Sequence, residues 1–217
     1  MSGPDARGTD AGDMALAHRG MHGALATAPS YVVGNVDPHR ARLIANFYEN
    51  VVEVLRVHHL GEDELVYPLL WARCVQERDM LERVSAQHHL LDEPMRAANE
   101  AIAIYASAPS ALNQASLVSA IGALDGAVVP HFADEELYVV PLISEHLTPE
   151  EWAQARTHGS SQFRKDKIWI TSCFLRENLR NGELEESFAH LPQVIRERWQ
   201  TEWSPAYDEF MQQVRAD

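Results

Sequence analysis

Histidine and glutamate stand four residues apart at two places in this chain, and the same neighbours accompany them both times. The stretch from His58 through Glu62 and Asp63 to Pro68, Leu69 and Leu70 returns as His131, Glu135, Glu136, Pro141, Leu142 and Ile143, each shared residue displaced by 73 positions. The common pattern is His-x3-Glu-[Asp/Glu]-x4-Pro-Leu-[Leu/Ile]. Residues four apart on a helix lie one turn apart on the same face, so an imidazole and a carboxylate at that spacing can converge on one cation. Two such helices offer nitrogen and oxygen ligands to a dinuclear centre.

The histidine doublets must be resolved, because neighbouring helical positions point about 100° apart. His58 shares a face with Val51, Leu55, Glu62, Leu65 and Leu69, whereas His59 is assigned to a charged face with Arg56 and Asp63, so His58 is the expected ligand. His88 aligns with Leu81, Val84, Leu91 and Met95 and is taken inward, with His89 outward. His131 repeats the logic of His58, followed by Glu135, Tyr138 and Leu142. His18 lies in line with Met14, Met21 and Leu25, and His22 one turn on also reaches towards the core. Tyr67 and Tyr138 are both expected to pack, with Tyr138, which falls on the ligand stripe, the one in reach of a hydrogen bond to the centre. Burying Glu62 and Glu135 in apolar stripes without a cation is costly or forces protonation, which favours a metal. His39, His146, His158 and His190 are read as surface or outer groups, and the tryptophans and methionines as core. Imidazole with carboxylate and no thiolate suits iron, or manganese, better than tetrahedral zinc.

Helical signals dominate the segments that must position these residues. A first helix is expected over about Asp13 to Thr27, and a second from Asp37-Pro38, a cap followed by proline at the first helical position, to about Cys74. A third covers Gln76 to Ala106 with a kink or break at Pro94, and a fourth runs from Ser110 to His146. Short connections make these an up-and-down four-helix bundle in an all-α protein. Thr148-Pro149-Glu150-Glu151 reads as a capping box opening another helix, and Asn181-Gly182 as a helix stop. Residues 1–12 are therefore expected to be a disordered leader, 13–147 the bundle, and 148–217 a helical extension packed on it.

A formal charge of −14 over 217 residues argues against nucleic acid or an anionic membrane as partner and favours cations and small molecules. Only two cysteines occur, Cys74 and Cys173, with no metal-binding spacing, and they are expected to be buried thiols. No secretory signal and no run of spanning length are read, so the expected location is the cytoplasm.

His18, His58-x3-Glu62, His88 and His131-x3-Glu135 on four successive helices resemble the hemerythrin-like family, the HHE cation-binding proteins, in a bacterial type with a C-terminal helical extension. The likeness covers about residues 13–146. It implies two non-haem iron ions held by His18, His58, Glu62, His88, His131 and Glu135, with Glu62 and Glu135 as bridging carboxylates. Oxygen-carrying members have a His-x3-His pair on the third helix, where this chain has Asp92 one turn after His88. A histidine is thus expected to be missing or moved, with His22, Asp92 or Glu136 as candidates for a further ligand. The resemblance implies binding of O2, NO or peroxide for sensing, storage or detoxification. The alternatives are a diiron oxidoreductase that activates oxygen or dismutates peroxide, motivated by more open coordination, and an iron-responsive regulator.

Overall fold

A computed structural model describes residues 8–34, 37–162, 165–180, 182–183, 188 and 191–216, and among them every regular element is helical. Four runs build the bundle: α1 (Gly12–Leu25), α3 (Pro38–Gly61) continuing into α4 (Tyr67–Arg73), α5 (Arg78–Ser107), and α6 (Ala111–Asp134) continuing into α7 (Val140–His146). A short α2 (Ala28–Tyr31) links the first two. Neighbours in the chain pack side by side, α1 on α3, α3 on α5 and α5 on α6, and α6 closes the ring on α1, the up-and-down order expected from the short connections.

Local chemistry starts the helices where the sequence places them. The Asp37 carboxylate accepts the Arg40 amide at 2.7 Å with Pro38 behind it, and the Ser110 hydroxyl accepts the Asn113 amide at 3.2 Å. The capping box also forms, since the Glu151 amide donates to Thr148 Oγ1 at 3.2 Å and the Thr148 amide donates to Glu151 Oε2 at 3.0 Å. Pro94 does not break its helix; α5 runs through it.

The long runs change pitch where the repeated motif lies. Glu62–Val66 and Glu135–Val139 are single π-helical turns, in which the Tyr67 amide reaches back to the Glu62 carbonyl and the Val140 amide to the Glu135 carbonyl. Each ends two residues before a proline, Pro68 or Pro141, and a third such turn, Trp199–Trp203, precedes Pro205 in the same way. A proline ring clashes with the carbonyl four residues earlier, and a widened turn relieves that clash. Pro94 and Pro130 sit in uninterrupted α-helices, so proline alone does not impose the turn.

Beyond the bundle lie α8 (Pro149–Gln162), α9 (Ile168–Cys173), α10 (Gln193–Arg198) and α11 (Ser204–Val214). Of these, α8, α9 and α11 pack on α3, and Ile170, Phe174, Tyr207, Met211 and Val214 join Ile44, Phe47 and Val51 in one apolar cluster. Asn181, expected at a helix stop, and His190, expected at the surface, lie outside the described residues, as does the leader up to residue 7. Of the leader's remainder, Thr9 and Ala11 are buried, and the Thr9 amide donates to the Ser144 carbonyl. The run Ala111–His146 has a window of mean hydropathy 1.3, apolar enough to cross a bilayer and so more apolar than expected; here it carries buried His131 and Glu135 against α1 and α5.

Candidate metal centre

A polar layer divides the apolar interior in two. On each bundle helix the order is the same: Met14, His18, Met21 on α1; Leu55, His59 and Glu62, Val66 on α3; Val84, His88, Leu91 on α5; Val128, His131 and Glu135, Val139 on α6. One member of each apolar flank belongs to the larger cluster and the other to a smaller one beneath α8.

Within this layer the ring nitrogens and carboxylates form two groups, His18, His58, Glu62 and Glu135, and His59, His88 and His131, each with its candidate ligand atoms within 4.8 Å of one another. The two carboxylates join the groups. Glu62 Oε1 lies 3.3 Å from His58 Nε2 and its Oε2 3.6 Å from His88 Nε2. Glu135 Oε2 lies 3.3 Å from His18 Nε2 and 3.4 Å from His131 Nε2, and its Oε1 lies 3.6 Å from His88 Nε2. His18 Nε2 and His58 Nε2 are 3.0 Å apart.

Three of these imidazoles are fixed from behind. His18 Nδ1 is 3.1 Å from Glu136 Oε1, His88 Nδ1 2.8 Å from Asp63 Oδ1, and His131 Nδ1 3.0 Å from Gln87 Oε1. All three partners are acceptors, so Nδ1 carries the proton and Nε2 faces the centre with its lone pair when the ring is neutral. Gln87 is itself oriented, donating Nε2–H to Asp134 at 2.8 Å, and Arg83 holds that same carboxylate at 2.9 Å. Phe132 stacks on the His18 ring with centroids 4.1 Å apart, and His59 stacks on His88 at 4.3 Å.

Burial sets the protonation states. It pushes the pKa of His58 down to about 3, with the neighbouring His18 adding to the effect, and that of His131 down to about 4; His59 is also held far below its ordinary value. Burial opposes the charge on His88 too, but Asp63 and Glu135 outweigh it and raise that pKa to about 10. Glu135 and Glu136 do the same for His18. Burial and the charge of Glu135 raise Glu62, whereas the imidazoles of His18, His88 and His131 crowded around Glu135 hold it low in spite of its burial.

All six expected residues, His18, His58, Glu62, His88, His131 and Glu135, come together in this layer, and several further expectations are corrected. His59 is buried, at 4% exposure, and completes the second group. Its helical neighbours at four residues before and three after are Leu55 and Glu62, a stripe that identified it, but α3 is packed on by α5, α1 and α8 and buries a wider arc than one stripe. The additional buried histidine beside His88 and His131 is thus the second member of the first doublet. His22 is half exposed and pairs with Asp125 at 2.7 Å, and Asp92 is on the surface beside His89, so neither joins the layer. Glu136 stands behind His18 instead of in the group.

The π turns explain the remaining differences. One extra residue per turn moves the buried stripe onward by one, so Val66, Leu70, Val139 and Ile143 are buried where Leu65, Leu69, Tyr138 and Leu142 were expected. Tyr138 is exposed under the Arg83 guanidinium, and Tyr67 takes its anticipated place by donating its hydroxyl to Glu135 Oε1 at 3.0 Å. The signal was available in the spacing Glu-x5-Pro, common to both copies.

The donor set fits a cation pair. Both Glu62 oxygens, Glu135 Oε2, and the Nε2 atoms of His88 and His131 are buried without a hydrogen-bond partner, as are both ring nitrogens of His59. Buried polar atoms left so are costly, and here they converge on one another. A family model, the hemerythrin HHE cation binding domain, matches residues 11–143. Comparison with curated proteins and with solved structures gives no match.

Proposed function

The chain belongs to the hemerythrin HHE cation-binding family, and from that premise we propose that the layer holds two iron ions and binds O2, or a relative such as NO or peroxide, for sensing, storage or detoxification. One position takes His18 and His58, the other His59, His88 and His131, and Glu62 and Glu135 bridge them. Iron in such a set supplies a redox-active site open to a small diatomic ligand. The observation that supports this most is the division of labour within the rings of His18, His88 and His131: Nδ1 is tied to an outer acceptor while Nε2 points, unpartnered in His88 and His131, at the shared carboxylates. At neutral pH His58, His59 and His131 are already deprotonated, whereas His88, raised to about 10, releases a proton on ligation. We place the protein in the cytoplasm, where its two buried cysteines stay as thiols.

Loading with Fe(II) under argon followed by metal analysis and absorption spectra before and after O2 or NO tests this. Two irons per chain and a new visible charge-transfer band on adding the gas are expected; no iron uptake, or a spectrum indifferent to both gases, contradicts the reading. A second reading, oxidation of an organic substrate by a diiron oxidoreductase, is favoured by one observation, the cavity that reaches His58 and Glu62.

A further inference from the structure

The centre is sealed on most sides. The side chains of His18, His88 and His131 are at most 5% exposed, but that of His58 is 17% exposed. His58 and Glu62 open onto a cavity of about 310 Å³, at the small end of ligand pockets, which start at roughly 300 Å³. The position served by only two histidines is the one beside it.

Three elements wall the cavity: α1 with Met14 and Ala17, α3 with Val57, and α8 with Trp152 and Ala155. Its lining is apolar apart from the edge of the centre, Thr171, and an ion pair at the rim, where Arg156 meets Asp13 at 2.7 Å. The Trp152 indole donates to the other oxygen of Asp13 at 3.0 Å, so that carboxylate is occupied on both sides and α8 is latched to α1. Arg156 is the one basic side chain in the lining, and its charge is spent on Asp13. Trp152, Ala155, Arg156 and Thr171 all lie beyond residues 11–143, so the extension, not the family domain, closes this space.

We propose that this cavity binds a neutral, mostly apolar organic molecule bearing one hydroxyl-sized polar group, held with that group towards His58 and Glu62; the proposal rests on the diiron reading of the centre only for what the polar group faces. Apolar walls favour the body of such a molecule, and a rim with no spare cation gives an anion nothing to pair with. The inner end of the cavity is formed by His58 and Glu62, the edge of the centre, so a polar group on the bound molecule is met there and not along the apolar walls.

Fluorine NMR with 4-fluorobenzyl alcohol, on metal-free and iron-loaded full-length protein, tests it. The fluorine line should shift on adding metal-free protein, and broaden strongly further with the paramagnetic iron-loaded form, while 4-fluorobenzenesulfonate shows neither. Ala155→Phe should fill the cavity from α8 and weaken the alcohol by roughly tenfold or more with unchanged iron content. Ala17→Leu does the same from the opposite wall, should the first variant misfold. Iron uptake without alcohol binding overturns the pocket and leaves the centre standing. Alcohol binding abolished by Ala155→Phe in a protein that takes up no iron supports the pocket and sinks the diiron reading instead. Binding indifferent to both substitutions, or equal binding of the sulfonate, overturns the proposal.

Discussion

On the proposed diiron reading, His59 decides how many nitrogen ligands the layer offers. It was the residue hardest to place from sequence, because a doublet invites a choice between neighbours. Both members are used, His58 by one group and His59 by the other, since 100° of helix rotation is about what separates two adjacent positions in one layer. His59→Ala should therefore lower iron content from two per chain to one or fewer, while His22→Ala and Asp92→Ala leave it unchanged; plasma emission analysis of the loaded variants reads the difference. The outer acceptors form a second class. Removing Asp63 or Gln87 leaves the ligand atoms in place but frees the ring behind them, and Asp63→Ala or Gln87→Ala should weaken metal affinity by about 10–100-fold in competition with a chelator. His58, Glu62, His131 and Glu135 were legible because their spacing is repeated, and His18 and His88 from the apolar stripes they share, whereas Glu136, Asp63 and Gln87 were not assigned as supports, since an exposed acid or amide beside a helix has no distinguishing pattern.

The elements that carry these residues differ from ideal helices at one place, the π turn following His58 and again following His131. Helix limits, caps and the bundle order followed from proline, aspartate, threonine and the 3.6-residue stripe; the stripe failed at His59 and His22, and again past Glu62 and Glu135, where its period changes. The shift places Tyr67 against Glu135, and Tyr67→Phe would leave Glu135 Oε1 without its donor. Urea unfolding of the metal-free variant should show a loss of about 1–3 kcal/mol, with helix content intact. At the start of α8 the Thr148 and Glu151 box is reinforced by Arg73, which meets Glu151 at 2.6 Å and, with the Thr148 amide, lowers its pKa to about 2. A carboxylate depressed in the folded state stabilises above its ordinary value of 4.5, and that contribution is lost as the pH falls towards 2. Thr148→Ala should cost about 1 kcal/mol at neutral pH.

At the scale of the molecule, a polar layer bounded by two apolar clusters makes the metal-free state dependent on pH. His58, His59 and His131 are lowered from 6.5, so below that pH the unfolded chain takes protons that the folded layer refuses, and stability falls. Glu62, raised from 4.5, works the other way between 4.5 and 6.5, but it is one group against three. His18 and His88, whose pKa values are raised, contribute stability that is complete below 6.5 and is lost only as the pH climbs towards 10 for His88, so they do not offset the acid loss. The metal-free protein should lose on the order of 2 kcal/mol in urea unfolding between pH 6.5 and 5.5, and saturating iron should raise its melting temperature. The extension was legible as helical and as packed on the bundle from its cap and aromatic residues, but which residues it shares with the core was not, because α3 must be seen to bury a side against Tyr207 and Met211 before the contact has meaning. The claim beneath all of this is that one layer holds two ions with seven protein ligands. Anomalous scattering at the iron edge from crystals of the loaded protein tests it most directly. Two peaks about 3.5–4 Å apart are predicted, one beside His18 and His58, the other beside His59, His88 and His131, with Glu62 and Glu135 reaching both. A single peak, or two peaks that leave His59 unligated, would contradict the account.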